Sequence, residues 1–546
     1  MPYPGVDIKA RPPVTGFAPT RADIALFVGL VGRRPEPLPG EIDRFLKQSD
    51  FAGSGPFART PEMVEALLDI PVPVESWDMF DALFAWDERP VELDSLEQIP
   101  CRLGLAVRSF FEEGGAKAYI VRTGDPLPLI SDNDDPEAAR EEYRKLISWA
   151  NIAPPDDADQ RVPLISGFDN KGSPPSVHDP ATWTGSSHIL GVEDAAMVVL
   201  PDLPDLIAGP SRIIPLVFEP DDIDEQFRDC APLIPGISLQ ERQANRDYSA
   251  PRLDLSAYGD WARAIRQILT MMNGSGGAAH RRDVMMVASL PLPDLGDPEI
   301  PQDSQNWPLA LLTKSLDDFD GRPLLDQSLA GSARLQLCYP WVTTAASESQ
   351  PENAEGGEGL IAGAIARTSL NHGAFASTTG PMISQIQSTV PVLATSNIQK
   401  GVIGTTYDWL GACLNLIGRK HGQYQCLSDA TSSPTAAWQA GPVSRTMAIL
   451  LRNAREIGQS HFFGVSGPES WAALEREMEN LLFSLWQAGA LSGANPAAAY
   501  DVQCNRNSMT QYDIDNGRLI ALISFTPAQT IERINVSLTL GNGGQP

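Results

Sequence analysis

Short apolar runs that alternate with helical segments constrain the fold of this chain more than any other feature of its sequence. Four such runs lie at residues 24–31, 118–122, 195–200 and 284–290. Apolar side chains at helical spacing occur between them, at residues 76–86, 103–113 and 253–272. Parallel strands buried on both faces are continuously apolar, and crossover helices join them. The sequence therefore predicts an α/β layer around a mostly parallel sheet.

The carboxy-terminal part of the chain has a different pattern. Two helices are predicted at residues 443–457 and 468–488, and the second carries an apolar stripe with Pro468 near its start and Gly489 at its end. Three strands are predicted after them, at residues 499–503, 518–525 and 534–540. These segments predict a separate α+β domain.

Both ends of the chain have the period-2 pattern of a short strand. Residues 1–20 contain five prolines and too little apolar mass to bury themselves on their own protein. We therefore predict extended arms that complete the sheet of a neighbouring molecule, since an added strand gains main-chain hydrogen bonds and register. The side chains predicted to fill the neighbour's pockets are Val6, Ile8, Ile534, Val536, Leu538 and Leu540.

The charge balance excludes several kinds of partner. Lys and Arg number 41 against 69 Asp and Glu, which gives a formal net charge of −28. Direct nucleic-acid binding and docking on an anionic membrane both need basic density, so neither is expected. No amino-terminal signal peptide and no apolar run of bilayer length is recognisable, and we predict a chain that folds in the cytoplasm without inserting into a membrane.

Six cysteines are scattered along the chain, at positions 101, 230, 338, 413, 426 and 504. Reduced, mostly buried thiols are the expectation for a protein folded in the cytoplasm. A disulfide between subunits remains an open alternative.

We find no sequence motif for nucleotide binding, for metal binding or for a catalytic nucleophile. The chain contains no GxxxxGK[ST] phosphate loop, no HExxH or paired Cys/His spacing, and no GxSxG nucleophile motif. We therefore expect no catalytic residues, no metal and no cofactor, and we expect a structural role.

Several segments, in this order along the chain, resemble the contractile tail sheath proteins of phages and related contractile injection systems. They are IALFVG at residues 24–29, SWDMF at 76–80, the helix–GG–strand unit at 105–122, VVLPD at 198–202, YPWV at 339–342, AGAIART at 362–368, and the segments 485–493, 498–504 and 515–525. No single motif is decisive, but their order spans nearly the whole chain.

The resemblance implies a subtilisin-like α/β core used only as architecture, an α+β carboxy-terminal domain, strand arms at both ends and outward insertions. The implied divisions are an arm at 1–20, the first part of the core at 21–124, outer insertions at 125–260 around a core strand at 195–200, the main core at 261–440, a tube-facing domain at 441–530 and an arm at 531–546.

The resemblance also implies partners and a place of action. Subunits of this family form hexameric rings stacked helically around an inner tail tube, between baseplate and tail terminator proteins, in a virion tail or an injection particle assembled in the host cytoplasm. On an acidic chain, a local basic cluster in the carboxy-terminal domain is predicted to face the tube: Arg445, Arg452, Arg455 and Arg476. The alternatives are an inactive or cryptic subtilisin-like hydrolase and another self-assembling shell or tube protein.

Overall fold

A computed structural model of the chain describes residues 21–93, 95–148, 161–168, 174–214, 247–274, 281–294, 296–297, 332–392, 411, 413–461 and 467–528, and the backbone of a strand at 534–540. Val6 and Ile8 of the predicted amino-terminal arm, and Cys230, lie outside these residues.

The strands are β1 Ala25–Leu30, β2 Gly32–Arg33, β3 Val72–Val74, β4 Phe84–Ala85, β5 Arg89–Pro90, β6 Gln98–Ile99, β7 Ala118–Gly124, β8 Met197–Val199, β9 Ile213–Ile214, β10 Asp247–Tyr248, β11 Arg252–Leu253, β12 Met285–Ser289, β13 Leu292–Pro293, β14 Leu335–Tyr339, β15 Trp341–Thr343, β16 Ser388–Val390, β17 Asn415–Lys420, β18 Gln423–Cys426, β19 Tyr500–Gln503, β20 Leu519–Phe525 and β21 Ile534–Leu540.

The α-helices are α1 Gly40–Gln48, α2 Pro61–Glu65, α3 Trp77–Leu83, α4 Arg102–Glu112, α5 Pro136–Ser148, α6 Leu203–Ala208, α7 Leu255–Asn273, α8 Glu358–His372, α9 Ala436–Gln439, α10 Gly441–Ser460, α11 Pro468–Gln487, α12 Pro496–Ala499 and α13 Gln511–Asp515.

An eight-stranded sheet organises the main part of the fold, in the order β18-β17-β14-β12-β8-β1-β7-β3. Its six central strands are parallel, and β3 and β18 add antiparallel strands at the two edges. The predicted α/β layer around a mostly parallel sheet is confirmed. The apolar runs at 24–31, 118–122, 195–200 and 284–290 form β1, β7, β8 and β12, which explains why they lack polar alternation.

The two faces of this sheet bury two apolar cores because successive side chains of a strand point to opposite faces. On one face, Leu26 and Val28 join the core that includes Trp261 and Ile265 of α7. On the other, Phe27 joins the core packed by α4 and α8. Gly359 brings these two helices together, since a Cβ there would lie 2.3 Å from the carbonyl oxygen of Ala106.

The segment at residues 125–185, which the resemblance assigns to the outer insertions at 125–260, differs from that expectation in its described part. Its helix α5 packs on α6, and Tyr143, Leu146 and Leu164 are buried in the same core as β1. The acidic composition hid this because the buried residues are spaced along one face of a helix that is otherwise charged. The described part of this segment therefore belongs to the main core.

The carboxy-terminal helices and strands form a third core. Val443 and Leu450 of α10, Leu474 of α11, and Ile523 and Phe525 of β20 are buried together. The α+β pattern predicted from the sequence is confirmed for these elements. In the parts of the chain that the structure describes, no helix is long and apolar enough to cross a membrane.

Candidate assembly surfaces and buried ion pairs

Charged side chains gather where the parallel strands end, at the carboxyl edge of the large sheet. Asp205, just beyond β8, pairs with Arg89 (Nη1 to Oδ2, 2.7 Å) and with Arg102 at the start of α4 (Nε to Oδ1, 3.1 Å), and all three residues are buried. Burial raises the pKa of Asp205, but the two guanidinium groups outweigh it, so its pKa is lowered. Open α/β sheets bind ligands at this edge, which makes it the first place to look for an active site.

Further carboxyl groups are buried beside these ion pairs. Burial raises the pKa of Glu355 to about 8, and it also raises the pKa of Glu358. The hydroxyl of Ser289, at the end of β12, donates to Glu358 and accepts from the Glu358 backbone N–H at 3.2 Å. The Ser289 hydroxyl is therefore hydrogen-bonded to Glu358 in the core.

The cavity that the described residues form beside these ion pairs is too small for a substrate. The cavity lined by Leu30, Arg89 and Asp202 measures about 10 Å³, about the volume that one water occupies. Among the described residues, no group of three or more His, Cys, Asp or Glu side chains is placed to hold a metal ion. The arrangement can fix strands and helices to one another, because Asp205 pairs with two arginines and Glu358 is hydrogen-bonded to Ser289.

The second place of interest is the three-stranded antiparallel sheet of the carboxy-terminal unit, in the order β19-β20-β21. The predicted strand at 534–540 is confirmed as β21. It pairs with β20 of its own chain along all seven residues, with Val536 opposite Ile523 and Ile534 opposite Phe525. Leu538 and Leu540 lie opposite Ala521 and Leu519 in the same register.

In this sheet β19 and β21 are the outer strands, and each has one edge without a partner strand in the part of the chain that the structure describes. A free edge presents a row of N–H and C=O groups that can pair with another strand. The pairing partners predicted for Ile534, Val536, Leu538 and Leu540 on a neighbouring molecule remain a prediction.

Arg445 of the predicted tube-facing cluster is inside the protein. Its guanidinium group pairs with both carboxylate oxygens of Asp429, at 3.0 and 2.7 Å, and its Nε donates to the carbonyl oxygen of Ala374 at 3.0 Å. Both charged residues are buried. Burial opposes ionisation of Asp429, but Arg445 outweighs it and lowers the pKa of the carboxyl group.

Arg452 is also inside the protein, where α10 meets the amino end of the large sheet. Its Nε lies 3.3 Å from Asp283, which also pairs with Arg281 and Arg455. Despite burial, these three guanidinium groups lower the pKa of Asp283. Arg452 also donates to the carbonyl oxygen of Arg21, at the start of the described chain.

The prediction that Arg445 and Arg452 contact another protein through an exposed charge is therefore corrected. Only 2% of each residue is exposed, and their partners belong to the same chain. Arg455 is partly exposed, with 38% of its side chain accessible, although one nitrogen pairs with Asp283. Arg476 is exposed on α11, and its Nε donates to the carbonyl oxygen of Ala472.

The exposed face of α11 extends beyond Arg476. Asn480, Phe483 and Gln487 are exposed at spacings of three and four residues, so they lie on the same side of the helix as Arg476. Phe483 is 39% exposed and its ring lies 5.8 Å from the ring of Trp486. We call the face formed by Arg476, Asn480, Phe483 and Gln487 the α11 face.

Sequence reasoning missed the acids that neutralise the arginines. Asp283 precedes the apolar strand β12 with one residue between them, and Asp429 follows the edge strand β18 after two residues. An acid at the boundary of a buried strand is a usable signal, because it must find a partner when the strand packs. The α11 face was missed because only its arginine was considered.

No protein-family model matches this sequence, and neither does any curated protein. The fold is similar to solved structures of contractile particles. A chain in the anti-feeding prophage baseplate in its contracted state aligns over 99% of both chains, with 15% identity and a TM-score of 0.51. A chain of the contracted anti-feeding prophage helical sheath aligns over 98% of both, with 16% identity and a TM-score of 0.49.

The sheath tail protein from Desulfitobacterium hafniense aligns over 99% of this chain and 100% of its own, with 12% identity and a TM-score of 0.44. Of these three chains, the baseplate chain shares the fold with a TM-score above 0.5. Since that alignment includes nearly every residue of both chains, the described part of this protein shares the fold of that baseplate chain. This confirms the resemblance seen in the sequence at the level of fold.

Proposed function

We propose that this chain is a structural subunit of a contractile tail sheath, which polymerises around an inner tube in a metastable extended state and contracts to drive the tube through a target envelope. The observation that carries the proposal is the likeness in fold to the contracted anti-feeding prophage baseplate chain over 99% of both chains. The filled carboxyl edge of the large sheet also supports a structural role over a hydrolase.

In the proposed sheath, terminal arms join neighbouring subunits. Val6 and Ile8 of one arm, and the strand at Ile534–Leu540 of the other, pair with sheets of adjacent subunits. The support for this comes from the small sheet β19-β20-β21, whose two outer edges have no partner strand among the described residues. Main-chain hydrogen bonds would make these joints strong while the subunits rotate as rigid bodies.

The carboxy-terminal domain, residues 441–530, is proposed to face the tube through the α11 face. The support is its mixture of one exposed arginine, polar side chains and the exposed ring of Phe483. Single exposed ion pairs contribute only about 0–1 kcal/mol and weaken with salt, so such a contact would let a tube slide. Arg455, whose side chain is partly exposed, would contribute a second positive charge to the tube contact of this domain.

The finer assignments are part of the same proposal. The main sheet and its helices correspond to a subtilisin-like core without catalytic use. The divisions are those given by the sequence resemblance, except that the described part of residues 125–185 belongs to the core. Hexameric rings stack helically, a baseplate and a terminator close the ends, and the particle is a phage tail or an injection system assembled in the host cytoplasm. Contraction needs no nucleotide, because an extended lattice can store energy that closer packing releases.

Electron microscopy of the purified protein tests the proposal. We expect tubes or helical sheaths in negative stain, with the subunit released as a folded monomer when assembly is prevented. Dispersed monomers at all concentrations, together with peptidase activity on a denatured protein substrate, would contradict it. The Phe483→Ser variant is a matched control. This change on the α11 face should leave the contacts between subunits intact, so we expect the variant to form the same tubes or helical sheaths in negative stain.

A further inference from the structure

An aromatic cavity of about 440 Å³ lies beside the amino ends of β7 and β8, whereas the ion pairs of Asp205 lie at the carboxyl ends of the strands. Four rings follow one another along its wall. Centroids are 6.1 Å apart for Phe45 and Phe51, 5.8 Å for Phe51 and Phe57, and 5.8 Å for Phe57 and Trp183. The volume falls within the roughly 300–1,000 Å³ of sites that enclose a small ligand or a few side chains.

One wall of the cavity is polar and carries negative charge at its rim. Lys117 Nζ donates to Asp194 Oδ2 and to the hydroxyl of Tyr119, both at 2.8 Å, so the lysine charge is matched within the wall. Glu193 is exposed beside Asp194. The cavity therefore combines aromatic surfaces with an acidic rim, which favours an apolar occupant that has a positive charge nearby.

The chain itself contains a segment with this composition, which apart from Arg21 lies outside the described residues. Residues 8–21, IKARPPVTGFAPTR, carry Lys9, Arg11 and Arg21 and no acid, on a chain of net charge −28. The same stretch contains three prolines and Phe17. Proline-rich segments bind aromatic-lined grooves at low entropic cost because they are already extended.

The described chain begins near the cavity. The carbonyl oxygen of Ile24 accepts from the backbone N–H of Ala196 at 2.8 Å, so the start of β1 lies beside the loop that carries Glu193 and Asp194. The carboxylate of Asp23 raises the pKa of Arg21, and Asp194, a residue of the cavity wall, adds to this effect. Arg21 is therefore within electrostatic reach of the cavity rim.

We propose that residues 10–20 of the same chain bind in this aromatic cavity in the unassembled subunit, with Phe17 and the neighbouring prolines against Phe45, Phe57 and Trp183. Binding there would hold the amino-terminal segment on its own subunit and leave residues 6–10 to pair with another molecule. The proposal is independent of the sheath function, since it concerns the monomer alone.

A spin label on the full-length chain tests this. The five described cysteines are buried, so a Thr15→Cys substitution in a Cys230→Ser background gives a selective attachment point. A second labelled protein, Leu96→Cys in the same background, provides a mobile reference because Leu96 is fully exposed. We expect the rotational correlation time at position 15 to be several-fold longer than at position 96, and to be unchanged by dilution.

Two variants decide whether the cavity causes the slow motion. Phe17→Ala, outside the described fold, and Phe57→Ala, in the half-buried wall, should each shorten the correlation time at position 15 toward the reference, while Phe483→Ala on the α11 face should not. A label at position 15 as mobile as the one at 96 would overturn the proposal. So would slow motion that both variants leave unchanged, or slow motion that is lost on dilution, which would indicate a segment from another molecule.

Discussion

The backbone N–H of Leu30 donates a 2.8 Å hydrogen bond to Oδ2 of Asp202, and this bond closes the crevice between the carboxyl ends of β1 and β8. Strand order reverses beside β1, since β7 follows on one side and β8 on the other. Enzymes with open α/β sheets bind substrates in such a crevice. Here the carboxylate fills it so closely that a Cβ at Gly29 would lie 2.0 Å from Oδ2.

Asp202 should make stability depend on pH. Burial raises its pKa to about 7, against an ordinary value of about 4. Between these values the folded state holds a proton that the unfolded state has lost, so this group's stabilising contribution is full below about pH 4 and is lost as the pH rises to about 7. Asp202→Asn, which resembles the protonated acid, should be more stable than the parent protein at pH 8 by roughly 1–3 kcal/mol and similar at pH 4.

Urea unfolding followed by circular dichroism at pH 4 and pH 8 measures this difference. Asp78→Asn, at an exposed position of α3, is the matched control and should change stability equally little at both pH values. Equal stability of Asp202→Asn and the parent protein at pH 8 would contradict the raised pKa.

Removing the guanidinium group of Arg445 should destabilise the fold itself. Arg445→Ala leaves Asp429 buried and unpaired, a change that costs about 3–5 kcal/mol. Arg445→Lys should recover only part of this, because lysine cannot make both bonds to the carboxylate. Denaturant unfolding measures the loss, with Arg476→Ala as the exposed control, for which we expect less than about 0.5 kcal/mol. A normally stable Arg445→Ala protein that merely fails to assemble would restore the tube-contact interpretation.

Four of the six central strands, β1, β7, β8 and β12, could be predicted from the sequence because burial on both faces makes them continuously apolar. β17 could not, since Asn415 begins it and Arg419 and Lys420 end it in an exposed hairpin with β18. Its apolar part, Leu416 and Ile417, is too short to stand out. What identifies it as a strand is its pairing with β14, a contact between distant parts of the chain.

The candidate surfaces were predicted less well than the fold. A count of basic residues located Arg445 and Arg476 in one domain but could not say which had a partner. Partners such as Asp429 and Asp283 become visible only when the main sheet and α10 are packed together. The strand at Ile534–Leu540 was easier to predict, because apolar and polar side chains alternate over seven consecutive residues and no distant partner is needed to see the pattern.

Deleting residues 531–546 should separate folding from assembly. The deletion removes β21 and leaves β20 with an unpaired edge, while Ala521, Ile523 and Phe525 keep their contacts with α10 and α11 in the third core. We expect a soluble subunit with the same helical signal that forms no tubes, and the same outcome for deletion of residues 1–20. Circular dichroism and negative-stain microscopy check the two properties. Normal tubes from either truncated chain would show that the arms are not the joints.

The α11 face should affect tube binding without affecting stability. Arg476 and Phe483 are exposed one above the other on α11, so replacing them leaves no cavity and no unpaired buried charge, and Arg476→Glu or Phe483→Ser should change the free energy of unfolding by less than about 0.5 kcal/mol. In a sheath that forms around a tube, both changes should lower the amount of tube that sediments with it. The Arg476→Glu defect should shrink as salt is raised, because screening weakens repulsion as it weakens attraction, whereas the Phe483→Ser defect should not. Unchanged co-sedimentation of both variants would place the tube contact on another face of the protein.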